Sequence, residues 1–449
     1  MSRARFSGTS ERPRLTAAAI AVAVGAFAIA NAIAADARWL AALGRAIVAD
    51  GLPDGVPYAT ARSTGWENVP ALGEVVFHSL DAAASERGFQ LAQVTAVALC
   101  LTLLARLALR EGATDTGTAL MLGVVAVGAI PAFALARVQL FSLALFPVLL
   151  TLVHAESRRP SRRVWLLVPL VALWSNLHGA VLTGVAVAGA YLVVHRFRSR
   201  PAETAAVVVA MLASLCLTPS LWRTPSYYAG VLGNEAARRG EGLWAPISTA
   251  PLDLLLVAAA LLLLLFAWRG GASAWEWVAL AGLAVLTMRT ARAGVWLLLV
   301  AAAPAARGVR ARLHVSALLP AVAAAAGGAL LVLGFVRGPQ PIGASDETVR
   351  RAVAEARGGA VLAEPLLGEQ LVLAGGTVWL ANPLDAFGRD DQRLYLDWAE
   401  GTPAGDAAVE RSAGLVLVNR GGDAERRLLA RGSARLVARD ADASLYAVG

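Results

Sequence analysis

Long apolar runs alternate along this chain with short polar segments that are rich in arginine. Four runs reach the ~20 mostly apolar residues that a helix needs to cross a bilayer: Leu15–Ala35, Leu91–Leu109, Thr116–Ala136 and His314–Val336. Seven shorter or broken runs continue the same rhythm: Leu140–Val153, Val164–Asn176, Ala180–Val194, Thr204–Leu217, Leu252–Trp268, Trp275–Met288 and Gly294–Ala306. The pattern predicts an α-helical polytopic membrane protein with about eleven transmembrane helices.

The arginines predict how these helices are oriented. Cytoplasmic loops of membrane proteins carry an excess of Lys and Arg, so the arginines before the first run predict a cytoplasmic N-terminus. When eleven helices are threaded from that end, four arginine-rich segments fall on the cytoplasmic side: 106–110, 158–163, 196–200 and 307–312. The first long loop, 36–90, and the chain after residue 337 then fall outside. We predict a multi-pass protein of the plasma (cytoplasmic) membrane.

The composition favours a membrane protein over a nucleic-acid-binding one. Hydrophobic residues make up 57% of the chain, charged residues make up 16%, and the mean hydropathy of +0.60 is outside the range of ordinary soluble domains. The formal net charge of +8 comes from arginines in short loops, a pattern typical of topology signals and of contact with lipid headgroups. Cys100 and Cys216 lie inside apolar runs, so we interpret them as buried hydrophobes rather than a disulfide or metal pair.

The segment from residue 339 to residue 449 has a different pattern. Its apolar runs are shorter and its acidic residues are more frequent. Strands are predicted at Ala360–Ala363, Thr377–Leu380 and Gly414–Val418, a closing hairpin at 435–448, and helices at Leu367–Leu373, Gln392–Trp398 and Ala424–Ala430. We therefore predict a transmembrane domain, 1–338, and a small extracytoplasmic α/β domain, 339–449. Neither contains a Walker loop, a G-x-G-x-x-G motif or a G-x-S-x-G motif.

Acidic and aromatic residues follow the first apolar run. Asp36 ends this run, and Trp39 comes shortly after it. A carboxylate at a helix end beside a water-filled cleft can accept a proton from a hydroxyl group, which makes Asp36 a candidate general base. The alternative is a charge at the membrane interface beside an aromatic-belt tryptophan. Trp66, Glu67 and Glu74 lie in the first loop, where such residues alone would form an ordinary solvated face.

Arginines also occur in two short turns that are predicted to lie outside. Arg137 and Gln139 occupy one turn, and Arg289 and Arg292 occupy the other. Because these arginines oppose the positive-inside rule, each is expected to have an anionic partner, which is either a structural carboxylate or a ligand phosphate. Arginine can hold phosphate oxygens in a bidentate way. The two turns therefore predict an outward-facing cavity in which the arginines converge on an anion.

A polar segment, Trp174–Gly179, interrupts apolar sequence on both sides. It contains Asn176 and His178, whose polar groups cannot face lipid. The segment therefore turns at the outer interface or lines a cavity. A single histidine is more often a hydrogen-bonded structural residue than a metal ligand, so the metal content of the protein stays unknown at this point.

Taken together, six short segments resemble bacterial polytopic glycosyltransferase-like proteins of the GT-C superfamily, of the type that uses polyprenyl-phosphate-linked sugars. The segments are Asp36–Pro53, Trp66–Glu74, Arg137–Ser142, Trp174–Gly179, Thr218–Pro219 and Trp244–Pro246. In two of them most of the family pattern is kept: Arg-Pro-Gln-x-Phe-Ser lacks only its proline here, and Trp-Ala-Asn-x-His-Gly lacks only its alanine. The resemblance covers most of the chain and includes Glu364–Leu371 in the C-terminal segment.

The resemblance implies an enzyme that works at the outer face of the membrane. It would move a hexosyl or pentosyl group from a polyprenyl-phosphate donor to a glycan, lipid or protein acceptor of the cell envelope. Asp36 would be the general base, with Glu74 and Glu67 as further catalytic candidates. The substrate-binding candidates are Arg137, Gln139, Asn176, His178, Arg289, Arg292, Trp39 and Trp66. No cofactor is certain, and the use of a divalent cation stays open.

Two other functions stay open. Leu40 stands where related proteins often have histidine, and no second acidic residue lies beside Asp36. Both features are consistent with a catalytically degenerate scaffold in envelope assembly. A transporter is the second alternative, for which inverted repeats and helices broken at matching positions would be expected. The two halves of this sequence show no convincing repeat of that kind.

Overall fold

The computed structural model describes residues 13–33, 36–313, 315–341, 345–412 and 414–449. The described chain is mainly helical, and each predicted apolar run lies on helix over most of its length. The first helices are α1 (Arg14–Ile29), α2 (Ala37–Asp50), α3 (Ala71–Ala84), α4 (Glu86–Arg110), α5 (Asp115–Gly128), α6 (Ile130–Ala134), α7 (Gln139–Arg158) and α8 (Leu167–Ser175). They are followed by α9 (Val181–Tyr191), α10 (Pro201–Ser214), α11 (Thr224–Leu232), α12 (Glu235–Arg239), α13 (Pro251–Arg269), α14 (Ala274–Arg289), α15 (Gly294–Gly308) and α16 (Leu318–Arg337).

Within the described ranges, four helices are long and apolar enough to cross a membrane: α4, α7, α13 and α16. Several others are apolar but shorter. The predicted run Thr116–Ala136 shows why these helices are shorter than the apolar runs. It is divided between two helices, because α5 ends at Gly128 and α6 follows it. Pro131 lies at this break, and a proline cannot donate the backbone hydrogen bond that a continuous helix needs. The number of membrane-crossing helices, about eleven, therefore stays a prediction.

A three-stranded parallel sheet gathers three helix ends at one end of the bundle. Strand β1 (Ala32–Ile33) follows α1, β2 (Leu135–Ala136) follows α6, and β3 (Gln340–Pro341) follows α16. β1 is the central strand and pairs in parallel with both neighbours. We call this the upper end of the bundle and the opposite end the lower end.

The first predicted loop, 36–90, contains two helices rather than irregular chain. α2 begins directly after Asp36, and α3 packs against it. Where the two helices meet, a Cβ atom on Gly44 would lie 2.1 Å from the carbonyl oxygen of Glu74. Only glycine therefore permits so close an approach. The contact fixes Glu74 beside α2 at the upper end.

The C-terminal segment forms a five-stranded mixed sheet with helices around it. Its strands are β4 (Ala360–Ala363), β5 (Thr377–Val378), β6 (Leu415–Asn419), β7 (Ala434–Arg439) and β8 (Ala443–Val448), in the order β5-β4-β6-β8-β7. Its helices are α17 (Asp346–Ala356), α18 (Pro365–Leu373), α19 (Arg389–Ala399), α20 (Ala407–Arg411) and α21 (Asp423–Ala430). β4 is parallel to β5 and β6, and β7 and β8 form an antiparallel hairpin. The strands and helices thus lie where the sequence pattern predicts them.

This α/β segment contacts the helices of the upper end through several elements. α18 packs against α2, and Arg45 of α2 donates hydrogen bonds to the carbonyl groups of Val372 and Leu373. The backbone N–H of Glu235 donates to Gln392 Oε1 at 2.8 Å. The α/β segment is therefore in direct contact with the chain that surrounds Asp36.

The lower end contains a buried ion-pair cluster. The side chain of Arg196 is fully buried, and its guanidinium donates to Glu156 Oε2 at 2.7 Å and to Glu203 Oε2 at 2.9 Å. Arg196 belongs to one of the arginine-rich segments that predict the topology. This arginine consequently also joins α7, α9 and α10 at their lower ends.

Candidate active site

Asp36 forms an ion pair with Arg137 at the upper end. Asp36 follows β1 and Arg137 follows β2, and parallel neighbouring strands leave a sheet at the same edge. Both Nε and Nη2 of Arg137 donate to Asp36 Oδ2, at 3.1 and 3.0 Å. The two side chains are only 14% and 11% exposed, respectively. The anionic partner expected for Arg137 is therefore a carboxylate of the protein.

Arg292 lies close to this ion pair. It occupies the turn between α14 and α15, and its guanidinium carbon lies 3.7 Å from the centre of the Trp244 ring. Arg137 and Arg292 both line one cavity of about 280 Å³, whose other walls are mainly apolar residues of α5, α6, α13 and the segment 242–248. Burial, together with repulsion from Arg137, lowers the pKa of Arg292 to about 10. Arg292 is thus still a cation at neutral pH.

No carboxylate of the described residues pairs with Arg292. Two arginines and a single paired carboxylate leave net positive charge at this mainly apolar cavity, so the cavity is suited to an anionic ligand. Arg289, the last residue of α14, is exposed as Arg292 is, but it is not among the residues that line this cavity. The structure thus brings together two of the three arginines that the sequence predicts to converge.

His178 lies near Arg292 and the ion pair of Asp36 with Arg137, and a chain of two hydrogen bonds holds its ring. The indole Nε1 of Trp174 donates to Ser142 Oγ at 2.7 Å, and Ser142 Oγ lies 2.6 Å from His178 Nδ1. Because Ser142 Oγ already accepts a hydrogen bond from Trp174, its own O–H can donate to Nδ1, which favours the tautomer with a proton on Nε2. Burial and the charge of Arg292 lower the pKa of His178 to about 3, so the imidazole is neutral at physiological pH.

The two glutamates of the first loop differ from Asp36 in their surroundings. Glu74 is fully buried, and its Oε2 accepts a hydrogen bond from Asn68 Nδ2 at 2.6 Å. Burial raises the pKa of Glu74 to about 8, so this side chain is largely protonated at neutral pH. Glu67 forms an ion pair with Arg223. Of the three predicted acids, Asp36 is the one that is paired with an arginine of the cavity.

The remaining predicted residues mainly make structural contacts. Trp39 is buried in the core, and Trp66 Nε1 donates to Asp385 Oδ2 at 3.0 Å. Asn176 Nδ2 donates to two backbone carbonyl groups, which ties the end of α8 to the chain after α10. Gln139 is half-buried at the start of α7. Across the described ranges, no group of three or more His, Cys, Asp or Glu side chains is placed to hold a metal ion.

Glu369 is a residue of this region that sequence analysis missed. It lies on α18 of the C-terminal segment, is 1% exposed, and its Oε2 accepts a hydrogen bond from the backbone N–H of Asp36 at 3.0 Å. Burial raises the pKa of Glu369 to about 8, and the charge of Asp36 adds to this effect. The available signal was an acidic residue inside the apolar helix predicted at Leu367–Leu373, where a solvated carboxylate is not expected.

The fold of the bundle, with a carboxylate directly after its first helix and arginines at the same end, is similar to that of two solved structures. The chain is similar to the crystal structure of ArnT from Cupriavidus metallidurans in the apo state, with a TM-score of 0.59 and 14% identity over 96% of this chain and 97% of that chain. It is also similar to the structure of the same ArnT bound to undecaprenyl phosphate, with a TM-score of 0.56 and 13% identity over the same shares.

Searches of protein-family models and of the curated proteins found no significant match. At 13–14% identity, the likeness to ArnT concerns the fold and extends over nearly the whole length of both chains. It confirms the predicted resemblance at the level of the fold alone.

Proposed function

We propose that this protein transfers a sugar from a polyprenyl-phosphate donor to an acceptor of the cell envelope, at the outer face of the plasma membrane. One observation carries the proposal: Arg137 and Arg292 line a mainly apolar cavity, and Asp36 is paired with Arg137 at that cavity. An arginine-bearing apolar cavity suits an anionic lipid, and a carboxylate next to it suits activation of a hydroxyl group.

Two further observations support a polyprenyl donor. The ArnT structure with undecaprenyl phosphate has a similar fold over 96% of this chain. A second cavity of about 430 Å³ with almost entirely apolar walls lies between residues 120–127 of α5 and 255–262 of α13, two helices that also line the first cavity. An isoprenoid tail could run along this pair of helices while its phosphate contacts Arg137 and Arg292.

The proposed reaction breaks one bond and forms another at the anomeric carbon of the sugar. The bond from this carbon to the phosphate oxygen breaks, and a bond from the acceptor oxygen to the same carbon forms. We assign Asp36 Oδ1 to the acceptor proton, because Arg137 binds Oδ2. Negative charge grows on the departing phosphate, and preorganised cations stabilise such charge strongly in a dry site. The neutral His178 adds a hydrogen-bond donor at Nε2.

The proposal includes the topology that the sequence predicts. The N-terminus is cytoplasmic, about eleven helices cross the membrane, and the segment 339–449 is extracytoplasmic. This orientation is supported by the position of arginine-rich segments such as 158–163 and 196–200 at the lower end. This orientation also suits the proposed donor, because a lipid-linked sugar can be used at the outer face of the membrane, where nucleotide sugars are absent.

The topology predicts which introduced cysteines an impermeant reagent can reach. Ala441 and Arg159 are both exposed, and they lie in the C-terminal hairpin and at the lower end after α7, respectively. In a variant without Cys100 and Cys216, an impermeant maleimide added to intact cells should label Ala441→Cys and leave Arg159→Cys unlabelled. Both should react after permeabilisation. Labelling of Arg159→Cys alone in intact cells would reverse the topology.

The enzyme activity is tested with purified protein in lipid nanodiscs and by mass spectrometry of the cell envelope. The protein should release undecaprenyl phosphate from at least one undecaprenyl-phosphate hexose or pentose when envelope acceptors are added. A deletion strain of the source organism should lose one sugar from a glycan, lipid or protein and accumulate the lipid-linked donor. An unchanged set of envelope sugars and no turnover of any donor would favour a scaffold, and movement of an intact solute would favour a transporter.

A further inference from the structure

Asp36 has an unusual backbone conformation, which the rest of the chain must hold in place. Its φ is 87° and its ψ is −45°, in the left-handed half of conformational space that non-glycine residues seldom adopt. A residue held in such a region is strained and persists only where its surroundings fix it. The contacts of the Asp36 backbone therefore determine where its carboxylate lies.

One of these contacts comes from the distant C-terminal segment. Glu369, on α18, accepts the Asp36 backbone N–H at Oε2 and the side-chain Nδ2 of Asn382 at Oε1, at 3.0 and 2.9 Å. The glutamate is separated from Asp36 by 333 residues along the chain. It is almost fully buried, and burying an acidic side chain is unfavourable unless its oxygens are satisfied. Both of its oxygens are satisfied here, one of them by Asp36.

Asp36 is consequently fixed by partners from other segments at its side chain and at its backbone N–H, while its carbonyl oxygen accepts the Leu40 N–H within α2. Arg137 binds the side chain through Oδ2, while Glu369 binds the backbone N–H. If the backbone contact were lost, the residue could relax towards an ordinary φ, which would swing its carboxylate relative to Arg137 and to the cavity. The hydrogen bond from Asp36 to Glu369 thus links the C-terminal segment to the orientation of the proposed base.

We propose that Glu369 is a positioning residue, which orients the Asp36 carboxylate by holding its backbone N–H. The inference rests on the proposed transferase function. It assigns to the C-terminal α/β segment a role in the reaction, since this segment supplies the contact across the interface between α18 and α2. Glu369 itself touches neither substrate nor the reacting atoms.

The test compares three substitutions of Glu369 in the full-length protein in nanodiscs. Glu369→Leu removes the acceptor, and Glu369→Asp keeps a carboxyl group but shortens its reach by one methylene. Each should lower kcat by about 10²-fold, the effect of misplacing a reacting group by roughly 1 Å, while KM for the donor changes by less than about threefold. Glu369→Gln should stay within about threefold of wild type, because its amide oxygen can accept the Asp36 N–H while Asn382 flips its amide.

Glu364 offers a matched control in the same segment. It immediately precedes α18, is 8% exposed, and accepts hydrogen bonds from the backbone and side chain of Asn419 instead of from Asp36. Glu364→Leu should lower the thermal stability of the segment as Glu369→Leu does, yet it should leave kcat per folded molecule near the wild-type value. Equal losses of kcat in the two leucine variants would overturn the positioning role.

Hydrogen–deuterium exchange gives a readout that needs no substrate. Peptides that contain Asp36 and the start of α2 should lose protection in Glu369→Leu and Glu369→Asp, and keep it in Glu369→Gln and Glu364→Leu. Unchanged protection in Glu369→Leu overturns the inference, as does unchanged kcat in both Glu369→Leu and Glu369→Asp. A wild-type protein that turns over no lipid-linked sugar overturns the proposed function instead, and the exchange data still decide whether Glu369 holds Asp36.

Discussion

Asp36→Asn should reduce sugar transfer by about 10²–10⁴-fold, the usual contribution of a positioned general base. Asparagine keeps the size of the side chain, and its carbonyl oxygen can still accept from Arg137, but the side chain can no longer take a proton. The loss should therefore appear in kcat, while the affinity for undecaprenyl phosphate changes little. The measurement is single-turnover transfer by purified protein, normalised to the folded fraction from size-exclusion chromatography.

The pair formed by Arg38 and Glu86 is a suitable control for the loss of an ion pair. Arg38 Nε and Nη2 both donate to Glu86 Oε1, at 3.2 and 2.8 Å, which repeats the geometry of Arg137 on Asp36. Glu86→Gln should therefore lower stability to a similar degree without a comparable loss of transfer. If Asp36→Asn retains wild-type transfer, the base must be another residue, with Glu74 and Glu67 as the next candidates.

Arg292→Gln should reduce transfer by about 10²–10³-fold, as expected when one preorganised donor to a developing charge is removed. Arg292 pairs with no carboxylate of the described residues and shares a cavity with Arg137, so a ligand phosphate would be its main anion. Arg292→Lys should recover only part of the activity, because an ammonium group can neither stack on Trp244 as a plane nor bind phosphate in a bidentate way. Affinity for undecaprenyl phosphate, measured by native mass spectrometry, should fall along with the rate.

Substitutions of two other arginines can be compared with Arg292→Gln. Arg269 also lies over an aromatic ring, that of Phe266, but it is at the opposite end of the bundle. Arg269→Gln should leave transfer unchanged. Arg289→Gln tests the third predicted member of the anion site, and its position outside the cavity predicts a small effect. A loss in Arg269→Gln as large as that in Arg292→Gln would point to general destabilisation rather than to a phosphate site.

Local sequence pattern predicted the helices and the C-terminal strands well. Apolar runs such as Leu91–Leu109 and Leu252–Trp268 lie within single helices, because burial in lipid or protein demands apolar residues along the whole element. The pattern was less informative in 36–90, where α2 and α3 alternate apolar and polar faces and so resemble a solvated loop. Nor did apolar content reveal the break between α5 and α6.

The sequence predicted individual residues of the candidate site, but it did not predict which of these residues contact one another. The sequence identified Asp36, Arg137, Arg292 and His178 as polar groups in places where solvation is restricted. It could not identify the pairing of Asp36 with Arg137, which are 101 residues apart, because no local pattern encodes a contact across a bundle. Glu369 and Trp244 likewise contact the site from segments that are distant along the chain. Each contact became evident only from the path of the chain through the small upper sheet.

That upper sheet also lets the surrounding segments change independently of the site. Its three strands come from widely separated parts of the chain, and Asp36, Arg137 and the C-terminal segment follow them closely. Strand pairing uses backbone N–H and C=O groups, so it depends little on the side chains involved. We therefore expect that loops and helices between the strands can be altered while Asp36 and Arg137 stay in register. Residues 33, 136 and 341 are accordingly suitable junctions for chimeric proteins.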